Sequence, residues 1–276
     1  MEKPDFIKNY IGKCGLSVSD EQAGQLLAYF EMLTDWNERM NLTAITDFEE
    51  VVVKHFADSL EVLFPEGENV SRETLKEKAD EASVMKASPE DSGAELSAAL
   101  GKFVSRETNI KLIDVGTGAG FPGIPLKILR PKWRVTLLDS LNKRIGFLDA
   151  VKEHLGLEKV ETLHSRAEDA AANPAFREQY DLCVSRAVAS LPVLLEYCLP
   201  FVKKGGWFVS YKSGAVDEEL RSAAKALKGL GGSVKKVVRL SLPDTDISRS
   251  LIVIKKVETT PKKYPRKAGL PSKSPL

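Results

Sequence analysis

Apolar residues return along this chain with two different periods. From Ser19 onward Ala23, Leu26, Leu27, Phe30 and Leu33 recur at three- and four-residue spacing, which predicts an amphipathic helix. Ser19 is placed to cap it, with Gln22 three residues on as in a capping box. A second short helix is predicted from Phe48 to Leu63, so residues 1–65 read as a helical segment. Helices of this kind cannot bury their apolar faces alone and must pack on the next segment of the chain. Across 66–109 the period is lost. Glu, Lys, Ser and Ala dominate, and the stretch reads as a polar, mobile insert with short helical pieces around Leu75 and Leu96.

Residues 110–257 switch to strand and helix in alternation. Strands are predicted at Ile110–Val115, Trp133–Asp139, Val160–His164, Tyr180–Ser185, Gly206–Lys212, Val234–Leu240 and Ser250–Lys256. Helices are predicted near Phe121–Leu129, Lys143–Leu155, Leu191–Phe201 and Leu220–Leu230. This alternation implies an α/β fold, a parallel sheet covered on both faces. The last two strands are joined only by Ser241–Arg249, too short for a crossover helix, so one of them must run antiparallel. A mostly parallel sheet with one antiparallel strand is the plan of Rossmann-like class I methyltransferases. The tail at 258–276 is rich in Pro, Lys and Gly, and no regular structure is predicted for it.

Composition narrows the classes. The 276 residues are 43% hydrophobic and 29% charged, enough apolar matter for a real core. No run approaches the length of a membrane span, and the N-terminus with Lys3, Asp5 and Lys8 lacks a signal-peptide pattern. A cytoplasmic protein without membrane attachment is expected, and a monomer. Cys14, Cys183 and Cys198 match no zinc or redox spacing, and buried free thiols are expected. The three histidines, His55, His154 and His164, are too scattered to propose a metal cluster. The net charge of +1 conceals an uneven distribution. The insert holds six Lys/Arg against ten Asp/Glu, whereas 259–276 carries Lys262, Lys263, Arg266, Lys267 and Lys273 and no acid, which hints at an anionic partner.

The chemistry centres on Asp114-Val-Gly116-Thr-Gly118-Ala-Gly120-Phe121, a glycine loop between a strand and a helix. The spacing is GxGxG. Phe121 stands where a dinucleotide loop needs its third glycine for close helix–strand packing. S-adenosylmethionine has no phosphate, so its loop requires room and no anion nest. Asp114 is placed to hold the amino-acid end of such a ligand, directly or through water. Asp139 ends the second strand and is placed to accept hydrogen bonds from ribose hydroxyls. Ala167 and Glu168 come after the third strand, where a backbone N–H and a carboxylate can read an adenine; the plain alternative is an acid at a helix N-terminus.

The loop after the fourth strand reads Ser185-Arg186-Ala187-Val188. It has neither the Asn/Asp-Pro-Pro-aromatic run suited to an exocyclic amine nor a Pro-Cys nucleophile. Guanine N7 carries a lone pair and no proton, so its methylation needs alignment and no general base; no catalytic acid–base residue is expected. Arg186 is either a surface ion pair or an arginine at the pocket rim, bonding the donor, a phosphate or the guanine edge.

Six stretches carry a family resemblance: Trp36–Ile45, His55–Leu60, Asp114–Leu126, Leu138–Arg144, Ser185–Val188 and Pro261–Gly269. Together they make the chain resemble the bacterial 16S rRNA guanine-N7 methyltransferase G family, also called glucose-inhibited division protein B. The resemblance implies a donor site at Gly116, Phe121, Ala167, Glu168 and Arg186, with Asp139 beside the ribose and Gly118 in the loop. It also implies, as acceptor, a guanine in the decoding region of the small-subunit rRNA. Lys262, Lys263, Arg266 and Lys267 are the tail residues expected to join Arg186 in contacting RNA. The insert departs from the family pattern. An NAD-dependent oxidoreductase and a non-catalytic RNA-binding module are the competing readings; Phe121 speaks against the first and the intact glycine loop against the second.

Overall fold

The computed structural model describes residues 1–63, 70–73, 109–186, 189–214 and 216–276. Its strands are β1 (Val70–Glu73), β2 (Lys111–Val115), β3 (Arg134–Asp139), β4 (Val160–His164), β5 (Tyr180–Arg186), β6 (Val202–Ser213), β7 (Gly232–Ser241) and β8 (Ser248–Lys256). They form one sheet in the order β1-β7-β8-β6-β5-β2-β3-β4. Strands β6, β5, β2, β3 and β4 pair in parallel, and β8 runs antiparallel to β6 and to β7 on either side. This is the expected antiparallel strand. The short β1, from the insert, adds a second at the edge, antiparallel to β7. The helical pieces expected near Leu75 and Leu96 lie outside the described residues.

Successive strand residues point to opposite faces, and each face carries its own core. Leu112, Leu137, Val184, Val209 and Val253 look to one side, while Ile113, Leu138, Cys183, Phe208 and Ile252 look to the other. The first face is covered by α1 (Lys3–Lys13), α2 (Asp20–Met40), α3 (Phe48–Val51), α4 (Asp58–Leu60), α5 (Gly123–Leu129) and α6 (Asn142–His154). The second is covered by α7 (Ala167–Ala172), α8 (Leu191–Cys198), α9 (Asp217–Ser222) and α10 (Ala224–Leu230). Among the described residues no helix is long and apolar enough to cross a membrane. All three cysteines are free and buried.

The N-terminal helices pack as an integral layer. The capping box of α2 forms as expected: Gln22 N–H donates to Ser19 Oγ at 3.2 Å, and Ser19 N–H to Gln22 Oε1 at 3.1 Å. The Gln22 amide then donates to the carbonyl of Ile128 at the end of α5, at 2.9 Å. The helix predicted over Phe48–Leu63 is broken in a specific way. Between α3 and α4, Val52–Ala57 form a π-helical turn, and Glu61–Leu63 close as a 3-10 turn. The wider turn rotates the side chains beyond it, and such turns are frequent at functional sites.

The tail differs from expectation. It docks along α7 and α8 and ends in a short helix, α11 (Leu270–Lys273). Arg177 donates to the carbonyls of Thr260 and Tyr264 at 2.7 and 2.9 Å. The Arg266 guanidinium pairs at 2.7 Å with Glu196, a carboxylate wholly buried in the apolar helix α8. Burying that charge is tolerable only with a partner, so Arg266 anchors the tail. Pro and Lys composition does not report such long-range partners, which is why the tail read as irregular.

Candidate functional site

The site lies where β2, β3, β4 and β5 end, beneath the N-terminal helices. The glycine loop turns as its sequence requires: Gly116, Gly118 and Gly120 all have positive φ, of 73°, 62° and 102°. A Cβ at Gly120 would stand 2.7 Å from the Tyr29 hydroxyl and from Ile124. A Cβ at Gly118 would meet no protein atom within 4 Å, so this glycine faces open space. The Tyr29 hydroxyl donates to the carbonyl of Ala119, and its ring packs 5.4 Å from that of Phe121. Helix α2 therefore props the loop from behind.

Asp114 is fully buried. Its Oδ2 accepts from the Thr117 hydroxyl at 2.7 Å and from Gly123 N–H at 2.8 Å, while Oδ1 has no hydrogen-bond partner. Burial pushes its pKa up to about 7, against the opposing effect of those two bonds and of Arg186. A buried carboxylate oxygen without a partner fits a ligand that brings a cation, as the ammonium of an amino acid does. Asp139 sits at the end of β3. Its Oδ2 accepts from Gly118 N–H at 3.0 Å and from Arg144 at 3.2 Å, and its Oδ1 from Leu141 N–H at 2.9 Å. The carboxylate is thus fixed against the loop, and each oxygen has further acceptor capacity.

Ala167 and Glu168 open α7 as expected, but Glu168 is not vacant. Its Oε1 accepts from Gly269 N–H at 2.8 Å, which brings the tail to the rim of the same site. Of the tail residues singled out by sequence, Arg266 is committed to Glu196, and Lys262, Lys263 and Lys267 are exposed. Lys263 lies over the Tyr264 ring, 5.2 Å from its centroid.

Arg186 ends β5 and reaches into the N-terminal helices. It donates to Asp58 Oδ2 at 2.6 Å and its guanidinium stands 5.0 Å over the Phe121 ring. Its pair is therefore part-buried, not the exposed surface pair that was one of its two readings. His55 stacks on the same Phe121 ring, with centroids 4.6 Å apart. Its Nε2 bonds the Thr43 hydroxyl at 2.7 Å, and its Nδ1 faces the carbonyl of Lys54 at 3.1 Å and Arg186 at 3.4 Å. Burial first, then Arg186, lowers its pKa to about 4, so the ring is neutral. The Trp36–Ile45 stretch builds this neighbourhood: Asn37 Oδ1 accepts from Thr43 N–H at 2.9 Å, and Thr43 Oγ1 from Ile45 N–H at 3.0 Å.

Tyr29, His55 and Asp58 were not identified as site residues from sequence. His55 and Asp58 lay in a stretch marked for its resemblance, but nothing local says that they meet a strand more than a hundred residues away. Among the described residues no group of three or more His, Cys, Asp or Glu side chains is placed to hold a metal ion.

Parallel strands with one antiparallel partner, an open glycine loop leading into Phe121, and carboxylates at the ends of β2 and β3 define a Rossmann-like methyltransferase. Within that class, the chain belongs to the rRNA small subunit methyltransferase G family, whose model matches residues 22–71 and 96–251. The stretch left unmatched between these segments falls inside the polar insert. A ribosomal RNA small subunit methyltransferase G of Alkaliphilus metalliredigens (strain QYMF) is 46% identical over 276 residues, 100% of each chain. One of Acetivibrio thermocellus is 46% identical over 262 residues, covering 95% of this chain and 92% of that one. Membership disfavours both competing readings, the oxidoreductase and the non-catalytic module.

Proposed function

We propose that the protein transfers a methyl group from S-adenosylmethionine to N7 of a guanine in the decoding region of 16S rRNA, bound as RNA or within the small subunit. The donor supplies a methyl group on a sulfonium centre. The N7 lone pair forms the new bond to that carbon as the carbon–sulfur bond breaks, and sulfur leaves with the electron pair. No proton moves at N7.

The chain's own residues suit that reaction. Asp114 offers its unpartnered Oδ1 to the donor's ammonium, Asp139 the ribose carboxylate, and Ala167 and Glu168 the adenine edge. Gly116 and Gly118 leave room for the donor, and Phe121 with Arg186 forms the wall towards the acceptor base. The observation that carries the N7 assignment is the state of His55. It is the imidazole nearest the end of β5, its nitrogens are engaged, and its pKa is lowered to about 4. A side chain so held is a poor proton acceptor, and the proposed reaction needs none.

Replacing the target guanine by 7-deazaguanine in an RNA fragment removes the attacking nitrogen and keeps every other edge. The expected result is complete loss of methyl transfer. Transfer that persists at the native rate would place the reaction on another atom.

A further inference from the structure

Asp58 stands between two arginines. Arg186 binds its Oδ2, and Arg249, at the start of β8, binds its Oδ1 through Nε. The two arginines are far apart in sequence but share one end of the sheet. Arg186 pairs with Tyr211 across β5 and β6, and Arg249 pairs with Ser213 across β6 and β8. Exposure is graded: the Asp58 side chain is 5% exposed, Arg186 16% and Arg249 22%. The acid is the most buried of the three.

A second carboxyl, Glu61, lies against Asp58 with both oxygens buried. Burial and the adjacent Asp58 raise its pKa well above the ordinary range, against the pull of the two arginines. The raised pKa favours the neutral acid at Glu61, and among the described residues Asp58 is the carboxylate that bonds both guanidinium groups. Lys54, a further cation beside the cluster, is already paired with Glu50 at 2.5 Å. Among the described residues the two guanidinium groups therefore share one bonded carboxylate. Two guanidinium groups converging on one carboxylate favour the approach of a further anion.

We infer that Arg249, with Arg186, forms an anion subsite at the mouth of the pocket that takes a backbone phosphate of the RNA strand bearing the target guanine. Guanidinium groups match the geometry of a phosphate bidentately. Among the described residues, no bond is made by Arg186 Nε or Arg249 Nη2. A phosphate gripped here positions the strand beside Phe121, where the base is presented. This assignment rests on the proposed RNA substrate.

The test is RNA binding as a function of salt, with donor affinity measured in parallel by titration with S-adenosylhomocysteine. The expected result for Arg249→Gln is a slope of log K against log salt shallower by about 0.7, the contribution of one phosphate on a single strand, with donor affinity unchanged. Arg134→Gln, the same charge change on an exposed residue at the opposite end of the sheet, is expected to leave the slope alone. In the unmodified protein, the Arg249 Nε–H resonance is expected to shift on titration with a short single-stranded guanine-containing oligonucleotide, which keeps the question open to measurement even if the variant folds poorly. An unchanged slope and an unmoved resonance, in a protein that binds RNA, would overturn the subsite. A fall in donor affinity with RNA binding intact would overturn it too, by assigning the arginines to the donor's carboxylate. Salt-independent RNA binding by the unmodified protein would sink the parent reading instead.

Discussion

In the proposed donor site, Asp114 joins stability and ligand binding in a single side chain. With its pKa at about 7, it is largely protonated at pH 6 and largely ionised at pH 8. The donor's ammonium prefers the carboxylate, so donor affinity should rise as pH increases through 7. The ligand-free protein responds with the opposite sign. In the unfolded chain this group titrates near 3.9, so between about pH 4 and pH 7 the folded state binds the extra proton. Its contribution to stability is full below pH 4 and is lost as pH rises towards 7. Asp114→Asn copies the protonated form. It should remove both pH dependences, weaken donor binding at pH 8 at least tenfold, and leave a folded protein. Calorimetric titration across pH 6–8 checks this, and an unaltered pH profile in the variant would contradict the assignment. The glycines of the loop make a paired test. Gly118→Ala places a methyl in open space at φ 62°, so only the left-handed backbone, about 1–2 kcal/mol, opposes folding. Gly120→Ala drives a carbon to 2.7 Å from Tyr29 and Ile124 and should cost markedly more. Donor affinity should fall in Gly118→Ala while thermal unfolding moves only a few degrees.

At the scale of elements, the tail behaves as a strap. Arg266→Ala leaves Glu196 buried and unpaired in α8. Removing one partner of a buried pair costs about 3–5 kcal/mol, and a value on the order of 2–3 kcal/mol fits an arginine that is 25% exposed. Because Gly269 N–H holds Glu168, loosening the tail should also weaken donor binding. Lys262, Lys263 and Lys267 make the contrasting set. Changed together to Ser, they should flatten the salt slope of RNA binding by up to about 2, with stability and donor affinity unaffected. The contrast explains what was legible. Strands β2 to β8 and the glycine loop are written in local periods and could be read directly. Arg266 looked like its basic neighbours because its partner lies 70 residues away. The signal was present in Glu196, the one charged residue of an otherwise apolar helix. The π-helical turn at Val52–Ala57 has no local signature, so the direction in which His55 and Asp58 point could not be read. Arg249 was silent for the same reason: its role exists only where β8 folds back beside β6.

Across the whole molecule, the N-terminal helices and the βα sheet make a single working unit. Tyr29 props the glycine loop, His55 stacks on Phe121, and Asp58 joins β5 to β8 through two arginines. Separating the helical segment from the sheet should therefore abolish donor binding as well as RNA binding. Deleting residues 74–106 and closing the gap with a short flexible linker should leave donor affinity and methyl transfer intact, since the deleted stretch supplies none of the site residues named above. Loss of transfer with donor binding retained would show that the insert engages RNA. The most direct measurement of the central claim is mass spectrometry of nucleosides from small ribosomal subunits lacking the modification, after incubation with the protein and isotopically labelled S-adenosylmethionine. Label is expected in 7-methylguanosine, recovered from a single decoding-region fragment of 16S rRNA. Label on another atom or base, or none in a protein that binds S-adenosylhomocysteine, would contradict that claim.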